Sequence, residues 1–189
     1  MARKRKPKME YRYYEIPAGS PVLALLGDKW VQNYGRDIDY LHFHNHLEVG
    51  FCYYGEGTVT FKEDIPFDGN MFTVIPKNFP HTTTSAGDSV SYWEWLFIDA
   101  DKFLREVYKD NPRMAQKVLD RVNRRAHFVR VQDKPQIGAL VQQIIGCMRE
   151  RKEFYLEEVK GLTLALLLQV ARWNREEAEK TEFEAGNSS

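Results

Sequence analysis

Cysteine is scarce in this chain of 189 residues: there are two, Cys52 and Cys147, in unrelated segments. Two thiols so far apart exclude a disulfide framework and fit a reducing compartment, so a cytoplasmic protein is expected. Long apolar runs are missing too. The longest such window, LTLALLLQVA at 162–171, contains Gln169 and falls well short of the roughly 20 residues that span a bilayer. That excludes a membrane span, and the charged N-terminus has no apolar stretch behind it that would make a secretory signal. Net charge is absent as well: 27 Lys and Arg balance 27 Asp and Glu, so no overall field gathers nucleic acid or an anionic surface. The balance conceals a split. Residues 2–8, ARKRKPK, hold five of the basic residues and no acid, which leaves 22 basic against 27 acidic residues elsewhere. A run of like charge resists compaction, and residues 1–12 are expected to form a basic disordered tail.

What is present is a globular composition, 43% hydrophobic and 29% charged, sufficient for one core with a helical appendage. The pattern changes near residue 100. Before it, short β-branched and aromatic runs (TVTF at 58–61, MFTVIP at 71–76, SYWEWLFI at 91–98) alternate with the turn sequences GEG, KED, DGN, KNFP and AGD. That spacing predicts an antiparallel sandwich or barrel over 13–105. After residue 100 the period becomes helical. Asn111-Pro112 opens one helix, with Met114, Val118 and Val122 inward. Asp133-Lys134-Pro135-Gln136 opens a second by a capping-box spacing, with Ile137, Leu140, Val141, Ile144, Ile145 and Met148 on its apolar face.

A third helix is expected from about Tyr155 to Lys180. Leu156, Val159, Thr163, Leu166, Val170 and Trp173 follow the alternating three-four spacing of a helix seam, and Leu162, Ala165, Leu167 and Leu168 make the opposite side apolar too. A helix apolar all round needs cover on more than one side. Leu156, Val159, Leu166, Val170 and Trp173 are therefore expected at an antiparallel homodimer contact, within a helical dimerisation segment at 106–182 and ahead of a frayed linker at 183–189.

The stretch LHFHNHLEVGFCYYGEG, 41–57, places His42, His44, His46 and Glu48 at every second position. On a regular strand these side chains share a face, so His42 and His44 can reach one point and Glu48 can point into the same space. A fourth group must arrive from another strand. His81, after the turn PKNFP, is the candidate; His127, in RRAHFVRV, has no partner spacing and reads as an interfacial residue. Imidazole and carboxylate converging in this way suit zinc, nickel, iron or manganese; the same residues also suit a metal-free polar pocket. Cys52 shares the parity of Glu48, either facing the interior or serving as a small core residue. In SYWEWLFID, Tyr92, Glu94 and Leu96 take one face and Trp93, Trp95 and Phe97 the other. A glutamate among aromatics either meets a ligand or lies on the solvent side of the sheet.

HFHNHLEVGFCYYGEG resembles the first cupin motif, and DGNMFTVIPKNFPH the second. Together with WEWLFID they resemble, over about 40–101, the N-terminal sensor domains of AraC-type transcription regulators. The resemblance implies a mainly β fold with C-terminal helices, a cupin (double-stranded β-helix or jelly-roll) barrel followed by two or three α-helices. Carried onto this sequence, the metal positions are His42, His44, Glu48 and His81, with His46 additional to the motif; Glu48, Cys52, Tyr92 and Glu94, read from their place on the strands, are the candidate effector pocket. The implied function is effector sensing, by aromatic faces suited to a sugar or another small polar molecule, and dimerisation. DNA is then expected to be read by a C-terminal helix-turn-helix domain of roughly a hundred residues, absent from this chain. The alternative is a metal-dependent cupin enzyme, a dioxygenase or isomerase, with Glu94 or Tyr92 as acid or base.

Overall fold

A computed structural model describes residues 9–187; most of the basic tail, residues 1–8, lies outside the described residues. Met9–Arg12, expected to be disordered with it, is strand β1. There follow β2 (Val22–Leu25), β3 (Val31–Gln32), β4 (Leu41–His44), β5 (Leu47–Tyr54), β6 (Gly57–Thr60), β7 (Asp64–Phe67), β8 (Met71–Val74), β9 (Thr82–Ser85) and β10 (Ser91–Ile98). Helices α1 (Ala100–Val107) and α2 (Pro112–Val122) lead to β11 (His127–Arg130), then α3 (Pro135–Glu150) and α4 (Tyr155–Asn187).

One sheet has the order β11-β8-β5-β10-β2, with β3 also on β10; a second is β7-β6-β9; β1 pairs in parallel with β4. Backbone bridges from His42 to His81 and from Glu48 to Ile75 stitch β4 and β5 to the segment ahead of β9, closing a barrel. The strand β11 comes from within the helical segment, so sheet and helices are interleaved rather than consecutive. Each long strand is apolar on both faces because both are covered. Along β5 and β10, Val49, Phe51, Leu96 and Ile98 pack outward into one core with the helices. Cys52, Trp93, Trp95 and Phe97 pack inward with Val59, Phe67, Met71 and Phe128. Gly50 sits opposite Trp95, where a Cβ would stand 2.5 Å from the indole. Only glycine leaves that ring its place.

The helix starts follow local chemistry in part. Asp99 accepts from Lys102 N (3.0 Å) and Asn111 from Met114 N (3.2 Å), each satisfying an open amide of the first turn. Asp133 does not cap α3: it ends a 3-10 turn, and Lys134 holds the cap position without a side-chain bond. On α2 the buried residues are Ala115, Val118, Leu119 and Val122, while Met114 is exposed.

α4 departs most from expectation. It continues as helix to Asn187, through 183–187 of the stretch read as a frayed linker; residues 188–189 lie outside the described residues. Val159, Leu166, Val170 and Trp173 are buried within the chain, and Leu156 is half-buried. The helices α2 and α3 cover this seam. Four of the five expected dimer residues, Val159, Leu166, Val170 and Trp173, are thus used in cis, because a seam spacing specifies an apolar stripe and not whose helix covers it.

His127 is indeed interfacial. Its ring stacks on Trp173 (centroids 3.5 Å apart), Nε2 donates to Asn174 Oδ1 (2.5 Å), and Asn174 Nδ2 donates to Arg121 O (2.7 Å) at the end of α2. Burial lowers the pKa of this imidazole, against the Asn174 bond that favours the charged form. The unfolded chain therefore takes up a proton near pH 6.5 that the folded chain refuses. Stability should be full above that pH and fall, by up to about 1.4 kcal/mol per pH unit, as pH drops below it. Urea midpoints at pH 7.5 and 5.5 check this, with His127→Gln flattening part of the slope; a midpoint that holds or rises on acidification refutes it.

Candidate metal centre

The strand β4 turns His42 and His44 inward, while Leu41 and Phe43 take the other face. The reciprocal backbone bonds His42 N to His81 O and His81 N to His42 O, both 2.9 Å, set those two residues side by side. Asn78, in the left-handed region (φ 61°), gives its amide to His44 O (2.8 Å) and holds the PKNFP turn that delivers His81. Glu48 is fixed by its own backbone pair with Ile75. Four side chains from three segments thereby meet: His42, His44, Glu48 and His81 are all buried, and one donor atom from each lies within 4.8 Å of the others.

The contacts inside the cluster are mismatched as they stand. His44 Nε2 lies 2.5 Å and His81 Nε2 3.1 Å from the same oxygen, Glu48 Oε2, and the two nitrogens are 3.2 Å apart. His81 Nδ1 is 2.8 Å from Phe79 O, which can only accept. In the neutral ring Nε2 is then a lone pair facing a carboxylate oxygen and a second imidazole, which repel unless a proton or a cation lies between them. Burial alone would push the Glu48 carboxyl up, but His81 and His44 outweigh it and hold it well below the usual range. Burial, and then the charge of His81, push His42 down to about 2, so its lone pair is available at neutral pH. His42 Nδ1 and His44 Nδ1 are buried without partners. Ligands of a tetrahedral ion with bonds of about 2.0–2.1 Å stand roughly 3.3 Å apart. The donor set, its spacing and the Phe79 carbonyl behind His81 fit a divalent transition metal.

Beside the cluster is a cavity of about 230 Å³. Tyr14, Trp30, Tyr34, Trp95 and Phe97 wall it, and Arg12 stands at its edge. Tyr14 stacks on Phe97 (3.9 Å), and its backbone N and O both bond the Asn45 side chain at 3.0 Å. Tyr34 donates to Trp30 O (2.6 Å), and burial pushes its phenol up to about 12. Trp95 and Phe97 belong to the alternation visible in the sequence. Arg12 and Tyr14 sit at the edge of the expected tail, and nothing in DKWVQNYG marks Trp30 or Tyr34 as wall residues.

The other expected site residues lie elsewhere. His46 is half-buried, hydrogen-bonded to Asn45 (3.0 Å), and lines a different cavity of about 710 Å³ outside the barrel, between residues 13–21, α1 and α4. Cys52 shares the face of Glu48 but is packed among Val59, Phe67 and Trp93, with burial pushing its thiol up to about 12. Tyr92 and Glu94 are on the opposite face of β10 from the cavity. Glu94 is fully buried there, neither in the barrel interior nor at solvent: Oε2 accepts from Gly27 N (2.8 Å), and Oε1 accepts from the Tyr53 hydroxyl (2.6 Å) and from Arg149 of α3. These bonds outweigh the burial that would raise its carboxyl and hold it below the ordinary value. Glu94→Ala, which strands the Gly27 amide and the Tyr53 hydroxyl, should cost about 1–3 kcal/mol in a urea titration. A cost within about 0.5 kcal/mol would show that this clasp contributes little to holding α3.

No family model matches the sequence, and no curated protein matches it. Among solved structures the chain is similar to the AraC-like transcriptional activator CuxR, with 14% identity over 69% of this chain and 42% of that one, at a TM-score of 0.41. It is similar to ToxT from Vibrio cholerae O395, with 13% identity over 81% of this chain and 54% of that one, at a TM-score of 0.48. Oxalate decarboxylase from Bacillus subtilis is similar over a shorter stretch, with 19% identity over 38% of this chain and 24% of that one, at a TM-score of 0.29. The match thus spans about half the length of CuxR and of ToxT. The fold is a β-barrel carrying a C-terminal helical layer.

Proposed function

We propose that the chain is the ligand-sensing domain of an AraC-type regulator, in which a metal ion held by His42, His44, Glu48 and His81 floors a cavity that admits a small effector. The metal would supply an open coordination position for an electron-pair donor on the effector. The observation that carries the reading is the division of labour along β10. Trp95 and Phe97 line the cavity, while Glu94, the neighbour of Trp95 on the opposite face of the strand, is clasped by Arg149 of α3. A ligand pressing on one face of that strand bears on the attachment of the helical layer at the other, which is the differential contact a sensor requires.

The enzyme reading loses the acid and base expected for it, Glu94 and Tyr92. Tyr92 and Glu94 are on the far face of β10, Glu48 is committed to the histidines, and burial raises the phenols of Tyr14 and Tyr34. Self-association, if α4 mediates it, falls on the side chains its partners leave half-buried, Leu164, Ala165 and Leu168. In this reading DNA is contacted by another part of a longer regulator. No helix of the described residues is long and apolar enough to cross a membrane.

Native mass spectrometry with elemental analysis of the purified chain tests the proposal. One metal per chain, together with the mass of a displaceable small molecule and twice the chain mass at micromolar concentration, is expected. Protein that takes up neither metal nor ligand defeats the sensing reading. Oxygen or substrate consumption by iron-loaded protein that vanishes in Glu48→Ala would favour the enzyme.

A further inference from the structure

We infer that the molecule taken up beside the metal cluster is a small carboxylate, its charged end shared between the metal and Arg12 and its flat or apolar body against Trp95. The inference rests on the metal-and-effector reading above and adds the chemical class of the ligand.

Charge is the first argument. Among the residues around the cavity, Glu48 is the one carboxylate and Arg12 the one permanent cation. A divalent ion on three neutral imidazoles and Glu48 leaves a net charge of +1, and Arg12 adds a further positive charge that Glu10, 3.4 Å away, offsets in part. A site so walled by aromatics favours an anion over a neutral guest. Arg12 is suited to the task. Its bond to Glu10 is long (3.4 Å), near the surface and made through Nε, and its guanidinium also interacts with the side chain of Tyr14, which walls the same cavity.

Hydrogen-bonding capacity is the second. A sugar brings several hydroxyl protons that need acceptors. The single carboxylate here is already occupied by the Nε2 atoms of His44 and His81 or by the ion between them, and the Tyr34 oxygen is engaged with Trp30 O and Trp95 Nε1, which leaves Gln32, Thr82 and Thr83 among the other polar side chains of the wall. The unmet demand on this wall runs the other way: Trp30, which lines the cavity, has its Nε1 donor buried without a partner. Size is the third. A volume of 230 Å³ is below the roughly 300 Å³ of drug-sized sites, and the aromatic walls suit a flat or short apolar body.

Calorimetric titration of zinc-loaded and metal-free protein with acetate, benzoate, benzamide and glucose tests this, with metal content measured in parallel. At least one carboxylate should bind saturably, benzamide should bind more weakly than benzoate, and glucose should give no heat. Arg12→Gln should weaken the carboxylate about tenfold to a hundredfold, the loss of a charge-assisted bond, while metal content stays unchanged. Equal binding of benzoate and benzamide, preference for glucose, an Arg12→Gln variant of unaltered affinity, or no carboxylate heat up to about 10 mM would each overturn the assignment. The parallel metal measurement separates the two readings. Protein without metal whose benzoate affinity still depends on Arg12 would sink the metal centre and keep the carboxylate site. Protein with metal and no such dependence would do the reverse.

Discussion

Replacing His44 and His81 together with alanine should abolish metal uptake and leave the barrel folded. The two imidazoles come from different segments and both approach Glu48 Oε2, so their loss removes half of the donors and both partners of the buried carboxylate. Loss of a mere supporting hydrogen bond costs a metal site about 10- to 100-fold in affinity, and loss of two ligands should cost more. Folding should survive because the barrel is held by the backbone ladders and the inward core of Trp93, Phe67 and Val59, which the double substitution does not touch. Glu48, deprived of its partners, is expected to take up a proton rather than remain a bare buried charge. Elemental analysis gives the first readout. Thermal melting gives the second: an ion at a hundred times its dissociation constant adds about 2.7 kcal/mol to the wild type and nothing to the variant. A double variant that still carries metal, or a melt that responds to metal in both proteins alike, would refute the centre.

Leu166→Glu should unfold the helical layer, where a dimer contact would merely have released two folded monomers. Leu166 is fully buried, as is Val170 on the same stripe, and both pack with α2 and α3. Truncating a buried leucine costs about 2–5 kcal/mol, and a carboxylate without partners adds to that. Against a total stability of about 5–15 kcal/mol, the sum is enough to lose cooperative folding. Circular dichroism and size-exclusion elution decide it. Leu168→Glu, on the half-buried side of α4, is the control and should fold. A Leu166→Glu chain that stays fully helical at half the native mass would return the seam to the dimer contact expected from its spacing.

Local order made part of the site legible. A strand has a period of two, so His42 and His44 had to share a face of β4, and a proline turn before His81 marked where another donor enters; that Glu48, on β5 beyond the break at Asn45 and His46, joins them while His46 does not was decided by the fold. The same period separated Tyr92, Glu94 and Leu96 from Trp93, Trp95 and Phe97, but it could not say which set faces inward. Both sets are bulky and largely apolar because β10 is covered on both sides, by the barrel interior and by the helices. With no polar face to break the symmetry, tertiary packing decided, and Glu94 went to Arg149 instead of the pocket. Arg12 and Tyr14 were hidden by their neighbours: a basic run reads as tail, and the parallel pairing of β1 with β4 joins residues about thirty apart, beyond the reach of any local pattern. The seam of α4 followed the same rule. Its spacing by itself determined that one stripe must be buried, since several leucines left in water would cost about 1.5–3 kcal/mol each. That α2 and α3 of the same chain bury it was settled only by the fold, because the hydrophobic effect rewards the removal of apolar surface from water and does not depend on which segment covers it.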